Sequence, residues 1–210
     1  MKISYAIPVC NEYEELKRLV EHLLCYIDDN DEIVILTDKG NTTKEIEIYL
    51  EELKNITTRI IKIYSHSLNK NFSSHKNYLN SKCTGDWIFQ IDADEYPDSY
   101  LVQGLHYILE QNPNLEACWV SRINTVIGIT SEHIQKWRWR LDEHDRINFP
   151  DRQLRLYKNI PDRIKWKNKV HEQLIGYKSI TQLPDNKEYC LHHPKEIEKQ
   201  EKQNKFYETI

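Results

Sequence analysis

Two hydrophobic periods alternate along the first 110 residues. Residues 2–9 are a near-continuous apolar run, which reads as a buried strand. From residue 11 to residue 27 the spacing changes. Leu16, Leu19, Val20, Leu23 and Leu24 form one helical stripe, with Glu12, Glu14 and Glu15 in the first turn. Residues 32–36 predict a second strand, 42–53 a second helix and 59–64 a third strand. Residues 69–80 begin polar and turn helical, and 87–91 predict a fourth strand. Pro97 stops the chain there, and Asp98 is placed to cap a helix over residues 98–110. Strand–helix–strand, three times over, implies an α/β fold: a mostly parallel central sheet with helices on both faces.

The pattern weakens after residue 110. Residues 117–123 predict a strand. Residues 124–150 have little periodicity and read as a loop-rich insertion. Short strands are expected at 153–157, 166–175 and 189–193. Residues 194–210 read as a charged helix with Lys and Glu at paired spacing. No internal repeat, low-complexity segment or linker interrupts the chain, so a single domain over residues 1–210 is expected.

Composition narrows the class. With 210 residues, 39% apolar and 30% charged, the chain is long enough for one sizeable core. No apolar run is long enough for a membrane helix. Pro8 and Glu12 come too early for a signal peptide. Cys10, Cys25, Cys83, Cys118 and Cys190 are odd in number and lack CxxC spacing. Reduced thiols in a cytoplasmic setting are therefore expected, without zinc or disulfides. Net charge is −4, yet residues 133–180 carry 12 basic and 6 acidic side chains, interleaved with Trp137, Trp139, Phe149, Tyr157, Trp166 and Tyr177. Such a block favours an anionic or ring-bearing partner, or is a solvated basic face.

The chemistry concentrates at Asp92-Ala93-Asp94-Glu95, directly after the fourth strand. Carboxylates crowded at the end of a buried strand repel one another, and a cation relieves that repulsion. Oxygen donors at this density suit Mg2+ or Mn2+, shared with substrate phosphates. The bland alternative is a solvated acidic turn. In a parallel sheet, ligands sit at the carboxyl ends of the strands, so residues 8–12, 38–41 and 92–95 should converge.

Four stretches together resemble a known family: IPVCNE near the start, a second strand ending at Asp38, Lys76-Asn77 ahead of TGDWIFQIDADE, and WKNKVHE at residues 166–172. They look like the family 2 glycosyltransferases with the GT-A fold, over roughly residues 3–193, and in size like small single-domain members encoded by bacteriophages. The resemblance implies a nucleotide-sugar donor, a divalent metal (Mn2+ or Mg2+) and inversion at the anomeric carbon. It divides the chain into a nucleotide-binding half (1–95), an acceptor and catalytic half (96–193) and a C-terminal helix (194–210). It places Pro8, Glu12, Asp38, Lys76, Asp92 and Arg155 at the donor, with Asp38 at the base and Asp92 near the ribose or donor sugar. It makes Asp94 the principal metal ligand, with His193 beside it. Glu172 is the first candidate for the general base and Asp151 the second. The turn Asp38-Lys39-Gly40-Asn41 departs from the family's acid-rich form, which leaves the nucleobase open. The acceptor is expected to be a saccharide or a modified base in DNA, and the location cytoplasmic, in the host if phage-encoded.

Each residue also has a plainer reading. Glu172 has Arg155 or Lys169 as simple ion-pair partners. Arg152 and Arg155 either hold phosphate or tie the loop to the acidic half. Trp137 and Trp139, two apart, fit one buried and one exposed strand position. Functions of other classes are a sugar-binding module without turnover and a nucleotidyltransferase. The latter usually carries a Gly-rich phosphate loop, and here no glycine precedes Gly40.

Overall fold

A computed structural model describes residues 1–56 and 60–207 and carries the alternation through. Strand β1 (Ile3–Val9) leads to α1 (Tyr13–Tyr26), β2 (Glu32–Asp38), α2 (Lys44–Ile56), β3 (Ile60–His66), α3 (Phe72–Asn80) and β4 (Trp87–Gln90). Arg59, the expected first residue of the third strand, lies outside the described residues. Then come β5 (Tyr96–Pro97), α4 (Ser99–Glu110), β6 (Ala117–Ile127), α5 (Ser131–Trp137), β7 (Asp151–Lys158), β8 (Lys165–Lys167), β9 (Gln173–Ile175), β10 (Ile180–Gln182), β11 (Leu191–Glu196) and α6 (Ile197–Tyr207).

The main sheet runs β3-β2-β1-β4-β7-β6-β11-β5, with β10 beside the start of β6. The first four strands are parallel. Strand β7 is antiparallel to both β4 and β6, and β11 is parallel to β6. Alternate residues of one strand enter different cores. Ile3, Tyr5 and Ile7 pack with Leu16, Leu19 and Leu105 of α1 and α4, while Ala6 faces Leu79 of α3 and Trp166 of β8. Burial on both faces is why these strands read as unbroken apolar runs. Gly85 brings the chain into β4 under tight constraint. A Cβ there would lie 2.7 Å from the backbone nitrogen of Ser4.

The second half departs from the sequence expectation in four places. Strand β6 continues to Ile127, through Arg122 and Asn124, because both polar side chains find acids or amides beside it. Residues 131–137 form a helix held by a Thr130 capping box, but none of its residues is buried, so no apolar stripe announces it. Trp137 and Trp139 therefore flank a helix end, with ring centroids 4.6 Å apart, and occupy no strand. Residues 165–175 form the two-stranded hairpin β8–β9, where one strand was expected. Its turn places Asn168 and His171 in the left-handed region, at φ 75° and 52°. Pro194 lies inside β11, where a helix start was expected. It pairs with Thr125 of β6, while β5 pairs only with Leu191 and His192, so the other side of β11 is an edge at the proline.

Candidate active site

The carboxyl ends of β1, β2 and β4 open onto a cavity of about 780 Å3 lined by Pro8, Glu12, Asp38, Lys76, Asp92, Asp94 and Glu172. The three expected segments thus share one wall. Local bonds hold each in shape. Glu12 Oε2 accepts from the backbone nitrogens of Cys10 and Asn11, closing the turn after β1. Asp38 accepts from the Leu68 backbone nitrogen at 2.8 Å and from Asn41 Nδ2 at 2.9 Å. Asn71 caps α3 by accepting from Ser74 N, which sets the helix that carries His75 and Lys76 against this wall.

Two sequence motifs 89 residues apart turn out to be one object. Asn77 clamps β8 at both ends of its amide, donating to the Trp166 carbonyl and accepting from the Trp166 nitrogen, each at 2.8 Å. Phe72 N donates to the Lys169 carbonyl in the hairpin turn. The docked hairpin brings Glu172 to Lys76, and the two form an ion pair, with side chains 16% and 10% exposed. Lys76 Nζ also lies 4.6 Å from the centroid of the Trp166 ring. Neither Arg155 nor Lys169, the simple partners suggested by sequence, pairs with Glu172.

The acid turn divides its carboxylates between two sets of partners. Arg155 of β7, 4% exposed, donates to Asp92 and, at 2.8 Å, to the fully buried Glu95. Arg122 adds a bond to Glu95 at 2.9 Å. Burial raises the Asp92 pKa, but the Arg155 and Lys76 charges outweigh it and hold the carboxyl well below its usual value. Asp94 faces the other way, toward β11. Its Oδ2 lies 3.1 Å from His193 Nε2 and 3.2 Å from Lys195 Nζ. Burial pushes the Asp94 carboxyl up. His193 and Lys195 more than offset that and keep it far below the ordinary carboxylate range. Asp92 and Asp94 also line a second cavity, of about 580 Å3, with Arg122, Asp151, Arg152, His193, Lys195 and Trp139. Asp151, the other base candidate, is in this second cavity. It accepts from Arg122, Asn124 and Gln153, and Arg122 draws its pKa down against burial.

The donor set fits a divalent cation. Asn124 Nδ2 donates to Asp151, so its amide oxygen turns to His193 Nδ1 at 2.6 Å and accepts the proton carried there. In this structure Nε2 lies within hydrogen-bond distance of Asp94; a divalent ion would replace that contact, taking Nε2 of the neutral ring and the Asp94 carboxylate as ligands. Among the described residues no three His, Cys, Asp or Glu side chains cluster as a complete metal cage. A cation taking its remaining ligands from water and substrate phosphate needs no such cage. His192 takes no part. It stacks on Tyr96 and lies 3.4 Å from Asp98.

Glu95, Arg122, Asn124 and Lys195 were missed in sequence. Glu95 stood within the acid cluster. Asn124 and Lys195 lie beyond the expected strand ends and Arg122 near the end of its expected strand, so nothing in the pattern aimed them at the site. Arg155 pairs with Asp92 and Glu95 and lines a third cavity, of about 490 Å3, with Lys76, Asp92, Arg122 and Glu172.

Residues 4–167 match the family described as Glycosyl transferase family 2, and the chain belongs to that family. Its fold is similar to that of S. aureus TarS. The structure of TarS 1-349 in complex with UDP-GlcNAc matches with TM-score 0.63 and 13% identity over 92% of this chain and 58% of that one. The UDP complex of the same TarS piece matches with TM-score 0.62 and 13% identity, over 92% and 60%. Against the longer TarS structure the chain covers 37%. The likeness establishes the fold, a GT-A-type mixed α/β sheet, and the chain spans less than two thirds of these relatives. No curated protein matches in sequence.

Proposed function

We propose that this protein is an inverting, metal-dependent glycosyltransferase that moves a sugar from a nucleotide-sugar donor to a hydroxyl of a saccharide. The convergence of Asp38, Lys76, Asp94 and Glu172 on one 780 Å3 cavity carries this reading. Family membership and the TarS fold, seen with UDP-GlcNAc and UDP, support it.

Pro8, Glu12 and Asp38 form the wall for the nucleoside. Lys76 faces the donor phosphates. Asp94 and His193 are the residues that hold the divalent ion, Asp94 as carboxylate and His193 through Nε2. When bound, that ion supplies positive charge to the diphosphate as it leaves. Arg155 pairs with Asp92 and Glu95 and fixes both, so the acid turn stays in place under the donor sugar. Glu172, on the hairpin turn, accepts the proton of the acceptor hydroxyl while its oxygen bonds the anomeric carbon and the bond to the diphosphate breaks. Glu172 is preferred to Asp151 because Asp151 is bound by Arg122, Asn124 and Gln153, whereas Glu172 pairs with Lys76 alone among the described residues.

A saccharide acceptor is preferred to DNA, since four of the twelve cationic side chains in residues 133–180 are used in ion pairs within the protein, which lessens the charge left for a nucleic acid. Arg146, Arg152, Arg155 and Arg163 pair with Asp142, Asp185, Asp92 and Glu116. The 580 Å3 cavity beside Asp94, edged by Trp139, suits a sugar ring. The test is release of nucleoside diphosphate from a panel of nucleotide sugars with Mn2+, by the parent and by Asp94→Asn. Release that is abolished in Asp94→Asn supports the enzyme. No release from any donor, with ligands still bound, makes the protein a binding module.

A further inference from the structure

We propose that Lys195 and the divalent cation compete for the same carboxylate oxygen of Asp94, so that Lys195 sets how tightly this protein holds metal. The idea rests on the metal role given above to Asp94 and His193. Lys195 follows His193 by two positions on β11, so both side chains leave the same face of the strand. Register fixes that face: His193 lies beside Asn124 and Lys195 beside Val126 of β6. Both nitrogens then reach Oδ2 of Asp94, at 3.1 Å and 3.2 Å. The Lys195 side chain is only 11% exposed, so its ammonium is poorly screened by water.

A divalent ion bound through Asp94 Oδ2 and His193 Nε2 shares its oxygen with that ammonium. Two positive charges on one oxygen repel, and the flexible four-carbon stem of lysine lets the ammonium give way while the backbone stays in register. The 580 Å3 cavity that Lys195 lines supplies room for the displaced head, beside Asp151 and Gln200. A lysine at this position therefore makes metal uptake weaker than the Asp94 and His193 donors alone would allow. It also keeps a cation against Asp94 between metal-bound cycles.

The measurement is Mn2+ affinity without nucleotide, read from the spin-resonance signal of free Mn2+. The proteins are the parent, Lys195→Met, Lys195→Gln, Lys195→Arg and His193→Ala, each checked for a cooperative melt. Lys195→Met and Lys195→Gln should bind Mn2+ roughly tenfold more tightly, while Lys195→Arg, which keeps the charge, stays near the parent. Parent-like or weaker affinity in both neutral variants overturns the competition. If those two are unchanged but His193→Ala loses Mn2+, the competition fails and the metal site stands. If His193→Ala also binds like the parent, both fail.

Discussion

The ammonium of Lys76, on the helix after β3, is paired with the carboxylate of Glu172, 96 residues later in a hairpin turn. The same lysine faces the space where donor phosphates are placed. A phosphate that attracts Lys76 loosens its hold on Glu172 and leaves the carboxylate to take a proton. Glu172→Gln should therefore lower kcat by about 10²–10⁴-fold, with little change in donor affinity. Asp151→Asn should cost far less in kcat. Steady-state kinetics on both variants decide between the two acids, and a larger loss at Asp151 reverses the assignment.

Lys76→Met removes the partner and the phosphate contact together. Donor KM should rise and kcat should fall. A variant with parent-like KM would place Lys76 away from the phosphates.

Arg155 supports the acid turn. Arg155→Met removes the cation shared by Asp92 and the fully buried Glu95, leaving Glu95 only Arg122, which should cost about 3–5 kcal/mol of stability. Adding Glu95→Gln should return part of it. Urea unfolding midpoints measure both, and an Arg155→Met midpoint equal to the parent's contradicts the role.

Glu32, at the opposite ends of the strands, contributes to the pH dependence of folding beside the acids of the site. Fully buried, it accepts from Lys2, Ser4 and Thr84 and pairs with Lys62. Burial raises its pKa, but the two lysines and these hydrogen bonds overcome that and hold it far below normal. A folded value below the unfolded one of about 4.3 means the stability is complete above that pH and is lost as pH falls toward the folded value. Glu32→Gln should melt lower at pH 7 and lose less on acidification from pH 5 to pH 3. Parallel melting curves for parent and variant would contradict this.

The parallel half of the fold was legible because β1, β2 and β4 are buried on both faces and α1 and α2 on one, so these elements have a clear pattern. Asp38 and Asp94 could be placed because they end such strands. The other half was not legible, for local reasons. Strands β5 and β10 have two and three residues, too few to show a period. Arg122 and Asn124 look like a strand's end until Asp151 and His193 are seen beside them. Pro194 suggested a helix start because its missing N–H suits that position. Strand β11 accommodates it along its unpaired edge, and that error hid Lys195 from the site.

The central claim is that the cavity between Asp38 and Asp94 binds a nucleoside diphosphate through a cation on Asp94. Melting temperature across a panel of nucleoside diphosphates, with and without Mn2+, tests it most directly, because a ligand of the folded state raises the melting point by mass action. The account predicts that at least one nucleotide raises it, more with Mn2+ than without, and that Asp94→Asn loses the Mn2+-dependent part. No shift with any nucleotide, or an equal Mn2+-dependent shift in Asp94→Asn, would contradict it.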